Sequence, residues 1–235
     1  MCITRVAVLG YHKIGPPPDD WWSWQYVPGD VFAAQIRALR DDGWEAIAVD
    51  DLLRGLEAPA ALTEKAFLVT FDDAYLSLRQ EALRQLELLD LPAAVFTPTS
   101  FVGGWNSFDQ DTEPREAICN WDTLRALGEH GVSIQSHGVS HRAFSTLALA
   151  EQEQEVEESR RLLEERLGSP VKLFAYPYGD AGRERGLAEV LRRAGYTAAF
   201  GYGGGPFTLP AEEPYLLPRI AIGPDTDLNA EIGSG

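Results

Sequence analysis

The sequence predicts an α/β fold, a barrel built on a mostly parallel sheet, and three observations carry that expectation. Short apolar runs rich in β-branched and aromatic residues alternate with amphipathic stretches along the chain, the pattern of a parallel sheet with right-handed crossovers. Seven or eight such units favour closure into a barrel over an open sheet. The polar residues His12, Asp72, Asp73, His137, the 176–179 segment and Arg219 fall at or just past the C-terminal ends of predicted strands, where barrel enzymes carry their chemistry. An open doubly wound sheet is the alternative. It lacks a phosphate loop, because Gly-Tyr-Gly-Gly-Gly at 201–205 has neither the GxGxxG spacing nor a following helix.

Taken in order, residues 5–11 read as a first strand delivering His12, and the prolines of 15–24 make the next stretch a loop. Its tryptophans, Trp21, Trp22 and Trp24, are expected to pack over the barrel mouth, since Trp is mostly buried. The alternative is stacking on a sugar ring. Phe32, Ile36 and Leu39 recur at helical spacing over 31–40 before Gly43. Residues 44–49 read as a second strand, 51–56 as a short helix, and 67–73 as a buried strand ending in two carboxylates.

A helix over 77–89, a strand over 93–98 and a long loop over 99–117 come next. Asn120 is placed to cap a helix through Gly128, and 132–136 is a strand delivering His137. Over 148–167 Leu149, Val156, Leu163 and Leu167 mark one helical face, acids crowd the rest as a solvated face, and Gly168-Ser-Pro170 ends the helix. Strands over 171–176, 197–202 and 216–222, with a helix over 185–194, complete the chain.

With 235 residues, 45% of them hydrophobic, the chain can bury one sizeable core, and residues 1–235 read as a single domain. A net charge of −16 disfavours a nucleic-acid partner, which needs a basic face. No apolar run approaches the roughly 20 residues that span a bilayer. Cys2 and Cys119 make no disulfide framework. With no leader pattern at the start, the cytoplasm is favoured, and an extracytoplasmic chain trimmed of its leader is the alternative.

Side chains alternate along a strand, so Asp72 and Asp73 can share a site only where the strand ends. Buried carboxylates need a cationic neighbour. His137 and His141, four apart as on one side of a helical turn, supply nitrogen donors. One acid with two histidines suits a catalytic zinc site that leaves room for water, with cobalt, nickel or manganese as substitutes. The second acid is then free to act as general base.

Thr70-Phe-Asp-Asp-Ala74, Ser136-His-Gly-Val-Ser-His141 and Phe174-Ala-Tyr-Pro-Tyr-Gly179 resemble, in order, the motifs of the polysaccharide deacetylases of carbohydrate esterase family 4. The start at Tyr11-His12 and the Phe-x-Tyr-Pro-Tyr-Gly form resemble the poly-N-acetylglucosamine deacetylase branch. The resemblance covers about residues 6–222 and implies a distorted (β/α)7-type barrel acting on a carbohydrate. It implies Asp72 as general base, Asp73, His137 and His141 as metal ligands, and the Tyr178 N–H as an oxyanion donor. The implied reaction is metal-assisted hydrolysis of an acetamide.

Three positions depart from the family pattern. Ala74 replaces the usual glycine. Ala175 and Tyr176 stand where many members have an Arg that pairs with the catalytic acid, and Arg219 is the expected substitute. The C-terminal Leu-x-His is absent, so His12 is the expected stand-in for the general acid or a substrate-binding residue, with a buried structural histidine as the alternative. The resulting reading is an N-deacetylase of amino sugars. An O-acetyl esterase or a non-catalytic carbohydrate-binding barrel are the alternatives.

Overall fold

The computed structural model describes residues 3–18, 21–182 and 186–233. Cys2, part of the proline-rich loop and the predicted helix start at Arg185 lie outside them. The strands are β1 (Thr4–Tyr11), β2 (Lys13–Ile14), β3 (Tyr26–Val27), β4 (Glu45–Ala46), β5 (Lys65–Asp72), β6 (Ala93–Thr97), β7 (Val132–Ser136), β8 (Leu173–Ala175), β9 (Ala198–Phe200), β10 (Phe207–Leu209) and β11 (Ile220–Ala221). The helices are α1 (Gly29–Asp41), α2 (Val49–Glu57), α3 (Leu83–Leu89), α4 (Trp121–Glu129), α5 (Leu149–Leu167), α6 (Leu187–Ala194) and α7 (Leu228–Gly233). None is long and apolar enough to cross a membrane.

The main sheet runs β10-β1-β5-β6-β7-β8-β9 and is parallel except for β10. Its closure depends on residues 217–221. Leu217 bridges Phe200, the last residue of β9, and three and four residues later Ile220 and Ala221 pair with Leu9 and Gly10 of β1. The predicted strand over 216–222 therefore keeps only a two-residue ladder, because it crosses from one edge of the sheet to the other. The result is a curled, mostly parallel barrel with helices outside.

Strand alternation divides the apolar residues into two layers. Phe67, Val69 and Phe71 face outward onto Phe32, Ile36 and Leu39 of α1. Val6, Val8, Ala66, Leu68, Phe96 and Phe200 fill the barrel interior. Moving up each strand by twos on that inner face leads from Val8 to Gly10 and His12, from Leu68 to Thr70 and Asp72, and from Phe200 to Tyr202. The apolar floor thus becomes a polar mouth at the C-terminal strand ends.

Several local expectations change. The second strand shrinks to β4 because Asp51 accepts the Ala48 N–H at 2.9 Å, which starts α2 at Val49. The helix predicted from 77 opens as a π-turn over Leu78–Ala82 before α3. The 99–117 loop holds two short helical turns and is stitched down by Asn106, which donates to the Pro114 carbonyl and accepts the Glu116 N–H. Asn120 caps α4 by accepting the Thr123 N–H at 2.8 Å. The α5 acids are not wholly solvated, since Glu155 is buried. The tryptophans do not pack away either, Trp22 being 75% exposed.

Candidate active site

Asp72 is the last residue of β5 and lies on the inner face by alternation alone. Asp73 should point outward. It turns inward because the strand stops there and both Asp73 (φ 69°) and Ala74 (φ 55°) adopt the left-handed region, a conformation costing a non-glycine residue roughly 1–2 kcal/mol. That explains the position where glycine is usual. Both acids are buried.

Asp72 accepts three hydrogen bonds. Arg219 Nη1 donates to Oδ1 at 2.6 Å, Nη2 donates to Oδ2 at 2.8 Å, and the Tyr202 hydroxyl donates to Oδ2 at 2.8 Å. Burial, the largest single influence, would raise this carboxyl, but the Arg219 charge and hydrogen bond together with the nearby histidines outweigh it and hold Asp72 well below the usual carboxylate range. Arg219 is itself 0% exposed, lies over the Phe96 and Tyr202 rings at 5.1 and 4.3 Å, and reaches Thr70 Oγ1 at 3.3 Å. Sequence reasoning missed Tyr202, although its alternation from Phe200 pointed inward. Its ring occupies space that only a glycine leaves open, since a Cβ at Gly10 would lie 2.5 Å from Tyr202 Cε1.

Asp73 faces two imidazoles. His141 Nε2 lies 3.0 Å and His137 Nε2 3.6 Å from Asp73 Oδ1, and this oxygen has no hydrogen-bond partner of normal geometry. Ligand bonds near 2.1 Å at tetrahedral angles place neighbouring ligands roughly 3.4 Å apart. The three donor atoms lie within 4.8 Å of one another, so they fit a divalent transition metal. His137 is oriented by Nδ1, which lies 2.7 Å from the Ala175 carbonyl and leaves Nε2 facing Asp73. Burial pushes His137 down to about 4. Burial would also lower His141, but the Asp73 carboxylate raises it overall.

The two histidines do not meet across a helical turn as expected. Gly138 (φ 78°) and His141 (φ 54°) are incompatible with a helix, and the pair is carried by a loop. Glu155 of α5 holds that loop, accepting the Val139 and Ser140 N–H groups at 2.6 and 2.9 Å. A Cβ at Gly138 would lie 2.9 Å from its Oε2. Nothing in the local sequence distinguished Glu155 from its solvated neighbours.

His12 is buried against Trp24, edge-on at 5.0 Å, and stacks on Tyr202 at 6.2 Å. Its Nδ1 has no hydrogen-bond partner. Burial keeps it below the ordinary imidazole range despite Asp72 and Asp73 nearby. Tyr178 (φ 59°) tips a single turn after β8 and sets its ring edge-on to His141 at 4.7 Å. Gly179 allows the approach, since a Cβ there would meet the Tyr202 nitrogen at 2.5 Å.

Phe108 covers His141 at 4.1 Å. Burial, then the Asp73 charge, lifts the neighbouring Asp109 to about 6. A cavity of about 320 Å³ opens here between Phe101, Phe108, His141 and Tyr178. A larger depression, about 780 Å³, lies at the other end of the strands around Val132, Gln135 and Lys172, away from these groups.

The polysaccharide deacetylase family model matches residues 60–199, more than half of the chain. YxkH of Bacillus subtilis (strain 168), a provisionally named polysaccharide deacetylase, is 25% identical over 226 residues, covering 94% of this chain and 72% of that protein. The poly-beta-1,6-N-acetyl-D-glucosamine N-deacetylase of Escherichia coli (strain K12) is 25% identical over 225 residues. That match covers 80% of this chain but only 32% of the longer protein.

Among solved structures, the Streptococcus pyogenes deacetylase PplD in complex with acetate has a TM-score of 0.83 at 20% identity, over 99% of this chain and 98% of that one. IcaB from Ammonifex degensii has a TM-score of 0.79 at 23% identity, over 99% and 98%. At these identities the likeness speaks for the fold, a (β/α)7-type barrel.

Proposed function

Because the chain belongs to the polysaccharide deacetylase family, we propose that it removes the N-acetyl group from an N-acetylated amino sugar in a glycan or glycoconjugate, releasing acetate. The observation that carries this reading is the pair of adjacent buried acids, one held by Arg219 and Tyr202, the other facing His137 and His141. Asp73, His137 and His141 would hold one divalent ion, zinc or else cobalt, nickel or manganese. Such an ion supplies Lewis acidity, polarising the acetyl carbonyl and acidifying water.

The protein groups do the rest. A carboxylate offers about four acceptor positions, and Asp72 uses three, leaving one on Oδ1 for the attacking water. Asp72 accepts the water proton as the oxygen–carbon bond forms. The Tyr178 N–H donates to the oxygen that gains charge. His12, neutral at pH 7, relays the proton that Asp72 took from the water to the nitrogen as the carbon–nitrogen bond breaks, giving amine and acetate and leaving both groups as they began.

The test is elemental analysis of the purified protein followed by acetate release from matched N-acetyl and O-acetyl sugars. About one transition metal per chain and faster release from the amide are expected. Release from the ester alone would make the protein an O-acetyl esterase. No release with sugar binding retained would make it a non-catalytic binding barrel.

A further inference from the structure

The segment that carries both histidines lies along helix α5, and a stripe of polar side chains on that helix meets it turn by turn. Ser159 faces Ser136, their hydroxyl oxygens 2.7 Å apart, and Ser136 Oγ accepts the Gly138 N–H at 3.2 Å. One turn back, Glu155 Oε2 accepts the Val139 and Ser140 N–H groups at 2.6 and 2.9 Å, while the Ser140 hydroxyl donates to Oε1. A further turn back, Glu151 pairs with Arg142 Nη1 at 3.0 Å. Residues four apart on a helix stand one above another, spaced by about 6 Å. The stripe of Glu151, Glu155 and Ser159 thus fixes residues 136–142 at three points, with each histidine between two of them.

Glu155 is the costly member of the stripe. Its carboxylate is buried, and the groups that donate to it are two backbone amides and a hydroxyl of the histidine loop, none of them a cation. Burying a charge on such terms is expensive. Helix α5 does not need it in order to dock, since Val156 and Leu163 on the same helix are 0% exposed. The charge serves the loop instead. Gly138 (φ 78°) and His141 (φ 54°) take left-handed angles on either side of the two amides, and amides converging in such a turn make a cradle for an anion. A glutamine offers one acceptor oxygen and could not receive donors at both ends.

We propose that Glu155 is a positioning residue for the metal centre: by gripping the 138–140 backbone it sets the spacing of His137 and His141, and so the affinity of the site for its ion. This inference rests on the deacetylase reading and adds to it a residue that touches neither ion nor substrate. Groups that orient ligands from outside the ligand set govern affinity by about 10–100-fold.

The test titrates cobalt(II), followed by its visible absorption, into chelator-treated wild type, Glu155→Gln and Glu157→Gln. The last removes the same charge from an exposed position on the same helix. Glu155→Gln should bind about 10–100-fold more weakly, and Glu157→Gln should match the wild type. Wild-type affinity in a folded Glu155→Gln would overturn the proposal. Equal losses in both variants would overturn it too, because charge alone would then be the cause.

Ser140→Ala removes only the hydroxyl that reaches Oε1 and keeps the two amide bonds, so it should weaken binding by less than Glu155→Gln does. If Glu155→Gln does not fold, unchanged affinity in Ser140→Ala overturns the proposal. A wild type that binds no cobalt would sink the metal reading itself, and this inference with it.

Discussion

Asp72 accepts hydrogen bonds from both arms of Arg219 and from Tyr202, whereas Asp73, one residue on and equally buried, keeps an oxygen without a partner between two imidazoles. The first arrangement keeps a charge ionised and aimed. The second sets an open carboxylate oxygen between two imidazoles, a donor set that could hold a cation. Neighbouring carboxylates of one chemical type thus receive different partners from their surroundings. Strand alternation presents Asp72, and a left-handed turn presents Asp73.

The largest effect that tests this contrast comes from replacing each acid by its amide. Asp73→Asn should lose the metal and, with it, activity. Asp72→Asn should keep about full metal content while turnover falls by about 10²–10⁴. Elemental analysis with single-turnover rates distinguishes the two, and metal loss in Asp72→Asn would erase the division of labour.

Next comes the support of Asp72. Arg219→Ala strands a buried carboxylate and should cost about 3–5 kcal/mol in urea unfolding. Turnover should drop and metal content should stay the same. Tyr202→Phe removes one hydrogen bond to a charged group and should cost less, about 1.5–3 kcal/mol. Loss of metal in Arg219→Ala would make that residue a structural strut of the whole mouth.

The smallest effect is on pH dependence in metal-free protein. His137 (about 4) and His12 are both held below the ordinary imidazole value, near 6.5. The unfolded chain therefore binds more protons than the folded one between about pH 6.5 and 4, and stability should fall as pH drops through that window. Asp72 and Asp73 are held low, so their contribution is present above about 3.9 and is lost only at more acid pH. His141 is raised, and its contribution is lost as pH climbs above about 6.5. Chemical unfolding of chelator-treated protein at pH 7, 5.5 and 4.5 measures the slope. A flat profile would mean that these histidines are wetter than their burial implies.

Much of the architecture was legible in the chain. Apolar runs of strand length alternating with amphipathic helices predicted the parallel barrel, and helix α4 was readable from its Asn120 cap. The inward placement of His12, Asp72 and His137 at the strand tops was legible for the same reason, since the period of two projects them inward. Elements defined by partners were harder. The antiparallel strand β10, and the split of 217–221 between two edges, depend on which strand lies alongside, and no local pattern encodes that.

By itself the sequence determined which residue types stand at the ends of which strands, because periodicity and turn chemistry are local. The tertiary structure decided their contacts. It brought Arg219 to Asp72 across 147 residues of chain and Tyr202 across 130, turned Glu155 from a solvated face into the clamp of the His137–His141 loop, and left the tryptophans in solvent by drawing Ser23 onto Glu113. Each of these is a long-range pairing of polar groups. Its energy depends on desolvation and geometry, and both arise only once the barrel has closed.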